Sequence, residues 1–568
     1  MTPKLKSALP PLCVILQLLS SPAFPASRDP VRGRNGMVVS TDPLASDAGL
    51  EVLKEGGNAI DAAVAVSFAL AVVHPQAGNL GGGGFMVIHF AEQGTEVTVD
   101  YREMAPALAH RDMYVEAGED LKYEPSRVGH LASGVPGTVA GLHFAWEKYG
   151  QLSWKRLVEP AIRLAGKGFE VDFSLSESLK GSRELLSRFA ESRRIFLRDG
   201  DFYEEGDLFV QPELAKTLEL IADEGPEVFY EGSIAALIAA EFQSAGGLIT
   251  REDLKRYQPQ LREPLRGTYR GYEIVSMGPP SSGGIVLVQM LNMLERLRPH
   301  ELELGSISAV HWKTEVMKRA FSDRAQFLGD SDFADIPTAW LISKEYGRQR
   351  FQGIHPGWPM ASRRVYSGKP PGKEANETTH FSVMDRFGNG VATTTTINGS
   401  FGSGVTVKGA GFLMNNEMDD FATKPGNPNM FGLIESETNA VGPGKRPLSS
   451  MTPTLVKKDG KLYLILGSPG GPTIINTVLN VLSNVIDLNF DIQEAVDAPR
   501  YHHQWIPDVI RVEKGGFSVQ VQAALRRKGY QIELRDQIGD AHCIMIEPET
   551  GIYLGAPDPR SESKASGY

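Results

Sequence analysis

The sequence predicts an α+β fold in which two β-sheets pack face to face between helical layers. Residues 378–402 contain two runs rich in β-branched residues, 381–386 and 391–397. They are joined by Phe387-Gly388-Asn389-Gly390, the pattern of a β-hairpin. Residues 454–458 and 461–467 repeat that pattern across Asp459-Gly460. Stretches with helical spacing flank the strand runs in both halves of the chain. Periodicity by itself supports only mixed α and β; the placement of strands between helices points to the layered arrangement.

Along the chain, residues 1–27 read as a secretory signal. Lys4 and Lys6 supply the positive start, residues 9–19 a short apolar core, and Ser21-Pro22-Ala23 or Phe24-Pro25-Ala26 a small-residue cleavage site. Pro10, Pro11 and Gln17 leave that core too short and interrupted to span a bilayer. Residues 43–55 have helical spacing and stop at Gly56-Gly57, and Asn58 caps a second, almost wholly apolar helix over 62–73. About 20 apolar residues are needed to cross a membrane, so this helix is expected to be buried in protein.

The glycine run 81–84 lacks the Lys-Ser/Thr of a phosphate loop and precedes a strand, 85–90, so it is expected to mark a close backbone approach or a turn. A second strand, 96–101, delivers Arg102. Residues 154–247 are dominated by helical periodicity. Residues 258–273 look extended, and 283–297 and 308–329 helical. Residues 353–376, with four prolines, several glycines and many charges, read as a long loop directly before Thr378. Past the hairpin, a short strand is expected over 411–416 and a helix over 473–486.

A chain of 568 residues with 41% apolar and 22% charged residues is globular in composition. Its formal charge of −11 and lack of a long basic run argue against nucleic acid as partner. Cys13 lies in the signal segment, leaving Cys543 alone in the mature chain and no intramolecular disulfide. That usage suits a bacterial periplasm or medium.

The chemistry is expected at Thr378. A cut after Glu377 would place the threonine hydroxyl and a new α-amine on one residue at the head of a strand. An α-amine ordinarily titrates near 7.7–8.0, so it can serve as a base near neutral pH. Thr378, Thr379, His380, Ser382, Gly388, Asn389, Val391, Thr394, Thr396, Asn398, Phe401 and Gly402 together match the signature of the γ-glutamyltransferase (γ-glutamyltranspeptidase) family. The resemblance extends from Gly36 to Arg560.

This resemblance implies the αββα four-layer sandwich of the N-terminal-nucleophile hydrolases, formed jointly by a large subunit (28–377) and a small one (378–568). It implies Thr378 as nucleophile, with Thr396 orienting it, and Gly470 and Gly471 of Ser468-Pro469-Gly470-Gly471 as the oxyanion hole. Arg102, Ser449 and Ser450 would take the donor α-carboxylate. Asn398, Glu417 and Asp420 would take its α-ammonium. Position 417, Gln or Glu across the family, is Glu here and adds negative charge. Residues 424–432 resemble the lid loop of bacterial members, with Phe431 at the gate.

The expected activity is transfer of γ-glutamyl groups from glutathione and related amides to amino acids, peptides or water, after self-cleavage between Glu377 and Thr378. No metal or organic cofactor is implied, and the partners are small-molecule substrates and the two subunits of one precursor. Two alternatives stand beside it: an acylase of the same fold acting on glutaryl-type side chains, and a processing-dead binding protein of the cell envelope. His502-His503 is expected to be structural, Cys543 unreactive, and the role of His380 open.

Overall fold

The computed structural model describes residues 27–116, 125–198, 201–367, 379–423, 429–433 and 437–568. The expected signal segment, apart from Ser27, lies outside the described residues, as do Glu377 and Thr378.

Two seven-stranded sheets form the centre. One runs in the order Lys564–Gly567, Met37–Ser40, Thr379–Met384, Gly390–Thr396, Gly83–Phe90, Thr95–Asp100 and Gln260–Arg262. The other runs Val31–Gly33, Tyr553–Ala556, Cys543–Ile546, Lys461–Leu466, Thr454–Lys458, Tyr272–Ser276 and Leu265–Tyr269. Their ladders are antiparallel. Both sheets mix strands from before and after residue 378, so the two parts of the chain share one body.

Alternation along the strands shows the layering, because successive side chains leave a strand on opposite faces. Met37, Val39, Val87, Met384 and Ala392 of the first sheet pack with Val275, Leu455, Ile465 and Ile544 of the second, forming the core between the sheets. The intervening residues Val38, Met86, Ile88, Phe381, Val383 and Val391 face a layer built on helices Pro43–Lys54, Ala59–Val73 and Trp154–Lys167. On the far side, Ile274, Val456, Leu464 and Met545 meet helices Gly283–Leu294, Ile307–Phe327 and Thr473–Leu488. The four layers match the expected αββα sandwich.

The apolar helix Ala59–Val73 is buried along its whole length, which accounts for its composition. Asn58 accepts from the Ile60 and Asp61 amides while Asp61 accepts from the Asn58 amide, closing its first turn reciprocally. The glycine run is a close backbone approach: a Cβ on Gly82 would run into the Thr396 carbonyl oxygen.

One expected element is absent. Residues 411–416 form no strand and make only isolated bridges, Thr406 to Leu413 and Gly81 to Met414. The Asn415 side chain donates to the Gly81 and Gly134 carbonyls and accepts from the Gly134 and Glu417 amides. The backbone changes partner from residue to residue, Met414 pairing with Ser403 and Val405, Asn415 with Gly81 and Asn416 with Ile397, so no continuous ladder forms. Of the expected loop 353–376, the described part carries only the single turn Ser362–Arg364.

Candidate active site

The hairpin fixes one wall of the site. Thr379–Met384 pairs with Gly390–Thr396 so that Thr379 opposes Thr395 and His380 opposes Thr394. Thr394 and Thr396 share the face of Ala392, toward the second sheet, whereas Thr393 and Thr395 share the face of Val391, toward the helices. The Thr395 hydroxyl donates to the Gly83 carbonyl (2.8 Å), and the Thr396 hydroxyl accepts from the Asn398 amide (2.7 Å). Asn398 has φ +70°, a conformation that asparagine tolerates better than most residues, and the chain turns there away from the strand.

His380 is enclosed between the sheets. Its ring nitrogens meet the hydroxyls of Thr394 (2.9 Å) and Ser382 (3.2 Å), and its ring lies against Gly467. Burial, with the nearby His542, holds its pKa well below the usual histidine value, so it is neutral and structural at neutral pH.

Across the gap, strand Lys461–Leu466 leads through Ser468-Pro469-Gly470-Gly471 to helix Thr473–Leu488. Gly470 has φ +122°, and a Cβ there would fall 2.5 Å from the Thr473 hydroxyl, so the turn requires glycine. Ser468 accepts from the Asp540 amide (3.0 Å). The Asp540 carboxylate accepts from the Thr41 (2.9 Å) and Ser561 (2.8 Å) hydroxyls and lies 3.2 Å from His542. Burial raises its pKa, but His542 and these hydroxyls outweigh that and hold it at about 2.

The third wall centres on Arg102, which is wholly buried. Nη1 donates to Glu417 and Nη2 to Asp420, and Nε donates to the Pro447 carbonyl (3.1 Å). Glu103 lies 3.5 Å from Nη1. Ser449 and Ser450 are buried on the segment that wraps this guanidinium. The Ser449 hydroxyl accepts from the Met451 amide (3.1 Å), and the Ser450 hydroxyl accepts from Arg324 (2.7 Å). Asn439 ties the segment down by donating to the Asp420 carbonyl (2.6 Å) and accepting from the Leu448 amide (3.1 Å).

Three buried carboxylates thus share one guanidinium. Burial first, then Glu417, pushes Glu103 and Asp420 well above the usual carboxylate range; burial also raises Glu417, against the pull of Arg102. One oxygen each of Glu103, Glu417, Asp420 and Asn398 is buried without a hydrogen-bond partner. Protons shared between Glu417 and its neighbours Glu103 and Asp420 occupy part of this acceptor capacity, and a cation entering the cluster would take their place.

A cavity of about 630 Å³ opens beside these walls, lined by Asn398, Gly470, Met430, Phe431, Gln504 and Arg511 among others. Phe431 is part of its lining; residues 424–428 of the loop that resembles a lid lie outside the described residues. Arg102, Glu417, Asp420, Ser449 and Ser450 lie deeper and do not line it.

The structure brings Arg102, Glu417, Asp420, Asn398, Ser449 and Ser450 onto neighbouring loops. Where separate carboxylate and ammonium sites were expected, it pairs Arg102 directly with Glu417 and Asp420. Sequence reasoning missed Arg324, which anchors Ser450, and gave Glu103 no place in the cluster. Arg324 sits in a helix more than a hundred residues from Ser450 and carries no local motif. His502 and His503 are structural, as expected: His502 bonds Asn476 (2.7 Å) and Gln504 (2.9 Å), and His503 bonds Asp508 (3.2 Å). Among the described residues, no cluster of His, Cys, Asp and Glu could hold a metal ion.

Two facing antiparallel sheets between helices are the architecture of the N-terminal-nucleophile hydrolases. The family model described as γ-glutamyltranspeptidase matches residues 45–568. The glutathione hydrolase proenzyme of Escherichia coli (strain K12) is 48% identical over 542 residues, covering 95% of this chain and 93% of that protein. The cephalosporin acylase of Bacillus halodurans superposes with a TM-score of 0.86 at 28% identity, over 97% of this chain and 98% of that one. The γ-glutamyltranspeptidase of Helicobacter pylori is 43% identical with a TM-score of 0.57, over 61% of this chain and 97% of the chain compared. The chain belongs to the γ-glutamyltranspeptidase family and is an enzyme of that family.

Proposed function

We propose that this protein is an exported γ-glutamyltransferase and glutathione hydrolase that matures by cutting itself between Glu377 and Thr378. In the precursor, the Thr378 hydroxyl attacks the Glu377 carbonyl carbon. The peptide C–N bond breaks as the acyl group moves to oxygen, and water opens the ester. The products are a large part ending at Glu377 and a small part beginning with a free α-amine.

In turnover the α-amine takes the hydroxyl proton as Oγ attacks the γ-carbonyl of the donor. The Gly470 and Gly471 amides, at the N-terminal end of helix Thr473–Leu488, stabilise the developing oxyanion. The protonated amine returns its proton to the leaving amine, leaving a γ-glutamyl ester on Thr378. An acceptor amine or water then attacks that ester, loses a proton to the α-amine and frees the hydroxyl.

One observation carries the choice of donor: the surplus of buried acceptor oxygens around Arg102. A γ-glutamyl donor is zwitterionic at its far end. Its carboxylate would replace Glu417 and Asp420 on the Arg102 fork, assisted by Ser449 and Ser450. Its ammonium would supply those carboxylates and Asn398 with the donors they lack. Exchanging ion pairs in this way keeps every buried charge compensated.

The likeness to a cephalosporin acylase favours a second reading, a glutaryl-type acylase. A glutaryl group has no ammonium and would leave the acceptor surplus unrelieved. The test is to incubate purified protein with glutathione, with and without a dipeptide, and to follow free glutamate and the γ-glutamyl dipeptide. Both products are expected; neither appearing would contradict the proposal.

A further inference from the structure

Beyond the donor site, the 630 Å³ cavity has a cationic wall that the chemistry above does not use. Asn398 and Gly470 mark its catalytic end, and Arg511 and Arg535 stand elsewhere in its lining. Of the donor-binding set, Arg102, Glu417, Asp420, Ser449 and Ser450 lie outside it and Asn398 alone reaches its edge, so it is the space on the leaving-group and acceptor side of the reacting carbonyl.

Arg511 and Arg535 come from neighbouring parallel strands, Ile510–Glu513 and Ile532–Arg535, in which Arg511 lies directly opposite Glu533. Glu533 serves both guanidiniums, 3.4 Å from Arg511 Nε and 2.5 Å from Arg535 Nη2. Two cations on one carboxylate leave a surplus positive charge. The other charged residues of the lining are committed: Arg560 holds Glu513 through both ends of its fork, and Asp540 accepts from Thr41 and Ser561.

The Arg511 fork is also held in place. Nη1 donates to Gln504 Oε1 (2.9 Å), and the Gln504 amide nitrogen donates to the Phe431 carbonyl (3.0 Å). His502 Nε2 meets the same Gln504 oxygen (2.9 Å), which fixes which way that amide points. Among the described residues, Arg511 Nη2 has no hydrogen-bond partner, and the side chain retains 21% of its exposure.

We infer that Arg511, with Arg535 beside it, forms a carboxylate subsite for the C-terminal end of the peptide that leaves or accepts the γ-glutamyl group. This rests on the γ-glutamyltransferase reading and adds a substrate class: peptides with a free C-terminal carboxylate. A planar guanidinium already fixed by Glu533 and Gln504 loses little freedom in taking a carboxylate, and an arginine fork suits that anion. Because Gln504 joins Arg511 to the Phe431 backbone, occupation of the subsite is mechanically linked to the lid residue.

The test uses the self-processed enzyme with γ-glutamyl-p-nitroanilide as donor. The acceptors are glycylglycine and glycylglycinamide, which differ in the carboxylate. Wild type is expected to favour glycylglycine in acceptor kcat/KM by about five- to tenfold, the size of one charge-assisted contact at a partly exposed site. Arg511→Gln should bring that ratio close to one, and Arg511→Lys should retain part of it. Glu533→Gln, which frees both guanidiniums, should raise it; that arm decides the question if Arg511→Gln fails to fold. A wild-type ratio of one, or a ratio that none of these changes moves, overturns the subsite while p-nitroaniline release leaves the donor assignment standing. No p-nitroaniline release by wild type overturns both.

Discussion

The Arg102 guanidinium donates through Nη2 to the Asp420 carboxylate, a pairing between residues 318 positions apart in which neither side chain has any solvent exposure. With Glu417 on Nη1, the fork is filled by the enzyme's own carboxylates. On the proposed reading, a donor exchanges partners with this cluster.

Arg102→Lys keeps the charge and removes the fork. Losing one charge-assisted bond of a bidentate pair costs about 1.5–3 kcal/mol. Donor kcat/KM should fall by roughly ten- to a hundredfold while chain cleavage continues. Unchanged steady-state kinetics would show that Arg102 does not hold the donor.

The raised carboxyls predict a pH dependence. Asp420 and Glu103 keep protons in the folded enzyme that the unfolded chain would release, so their burial disfavours folding progressively as pH rises above the ordinary carboxylate value. A donor ammonium competes with those protons. Donor KM should fall as pH rises above the ordinary carboxylate range, and Asp420→Asn should flatten the slope. An identical slope in the variant would place the titrating group elsewhere.

Maturation turns on Thr378. Thr378→Ala should remain a single inactive chain, whereas wild type should yield a fragment beginning at Thr378 and ending at Tyr568. N-terminal sequencing of active wild-type protein checks this. An uncut, fully active chain would contradict the mechanism.

The segment packed against the Gly470-Gly471 turn rests on a buried ion pair. Arg500 Nη2 donates to Asp558 (2.6 Å), and the same carboxylate oxygen accepts from the Ala541 amide (2.6 Å). Asp558→Ala removes a buried carboxylate shared by Arg500 and Arg560 (3.0 Å), which should cost about 3–5 kcal/mol of stability. Denaturant unfolding measures it; an unchanged midpoint would mean that water reaches Arg500.

Much of this was legible in the sequence because it is local. The hairpin around Gly388-Asn389, the cap at Asn58 and the Gly470-Gly471 turn each follow from adjacent residues. The four-layer order came from the resemblance, since strand periodicity is silent about which strands pair. The Arg102 cluster was legible as a set of residues but not as a network: Glu103, Glu417 and Asp420 meet only because loops hundreds of residues apart converge. The strand expected over 411–416 failed because its backbone switches between partners on three different segments, which β-branching patterns do not register.

If the buried acceptors around Arg102 select a donor with an α-ammonium, removing that ammonium from the donor and removing Asp420 from the enzyme must have linked effects. Wild type and Asp420→Ala are assayed on matched γ-glutamyl and glutaryl anilides. Wild type should strongly prefer the γ-glutamyl compound. Asp420→Ala should shrink the ratio of kcat/KM values at least tenfold, the worth of a charged hydrogen bond of about 1.5–3 kcal/mol. Hydrolysis of the glutaryl anilide by wild type as fast as the γ-glutamyl one would contradict the account and leave the acylase reading in its place.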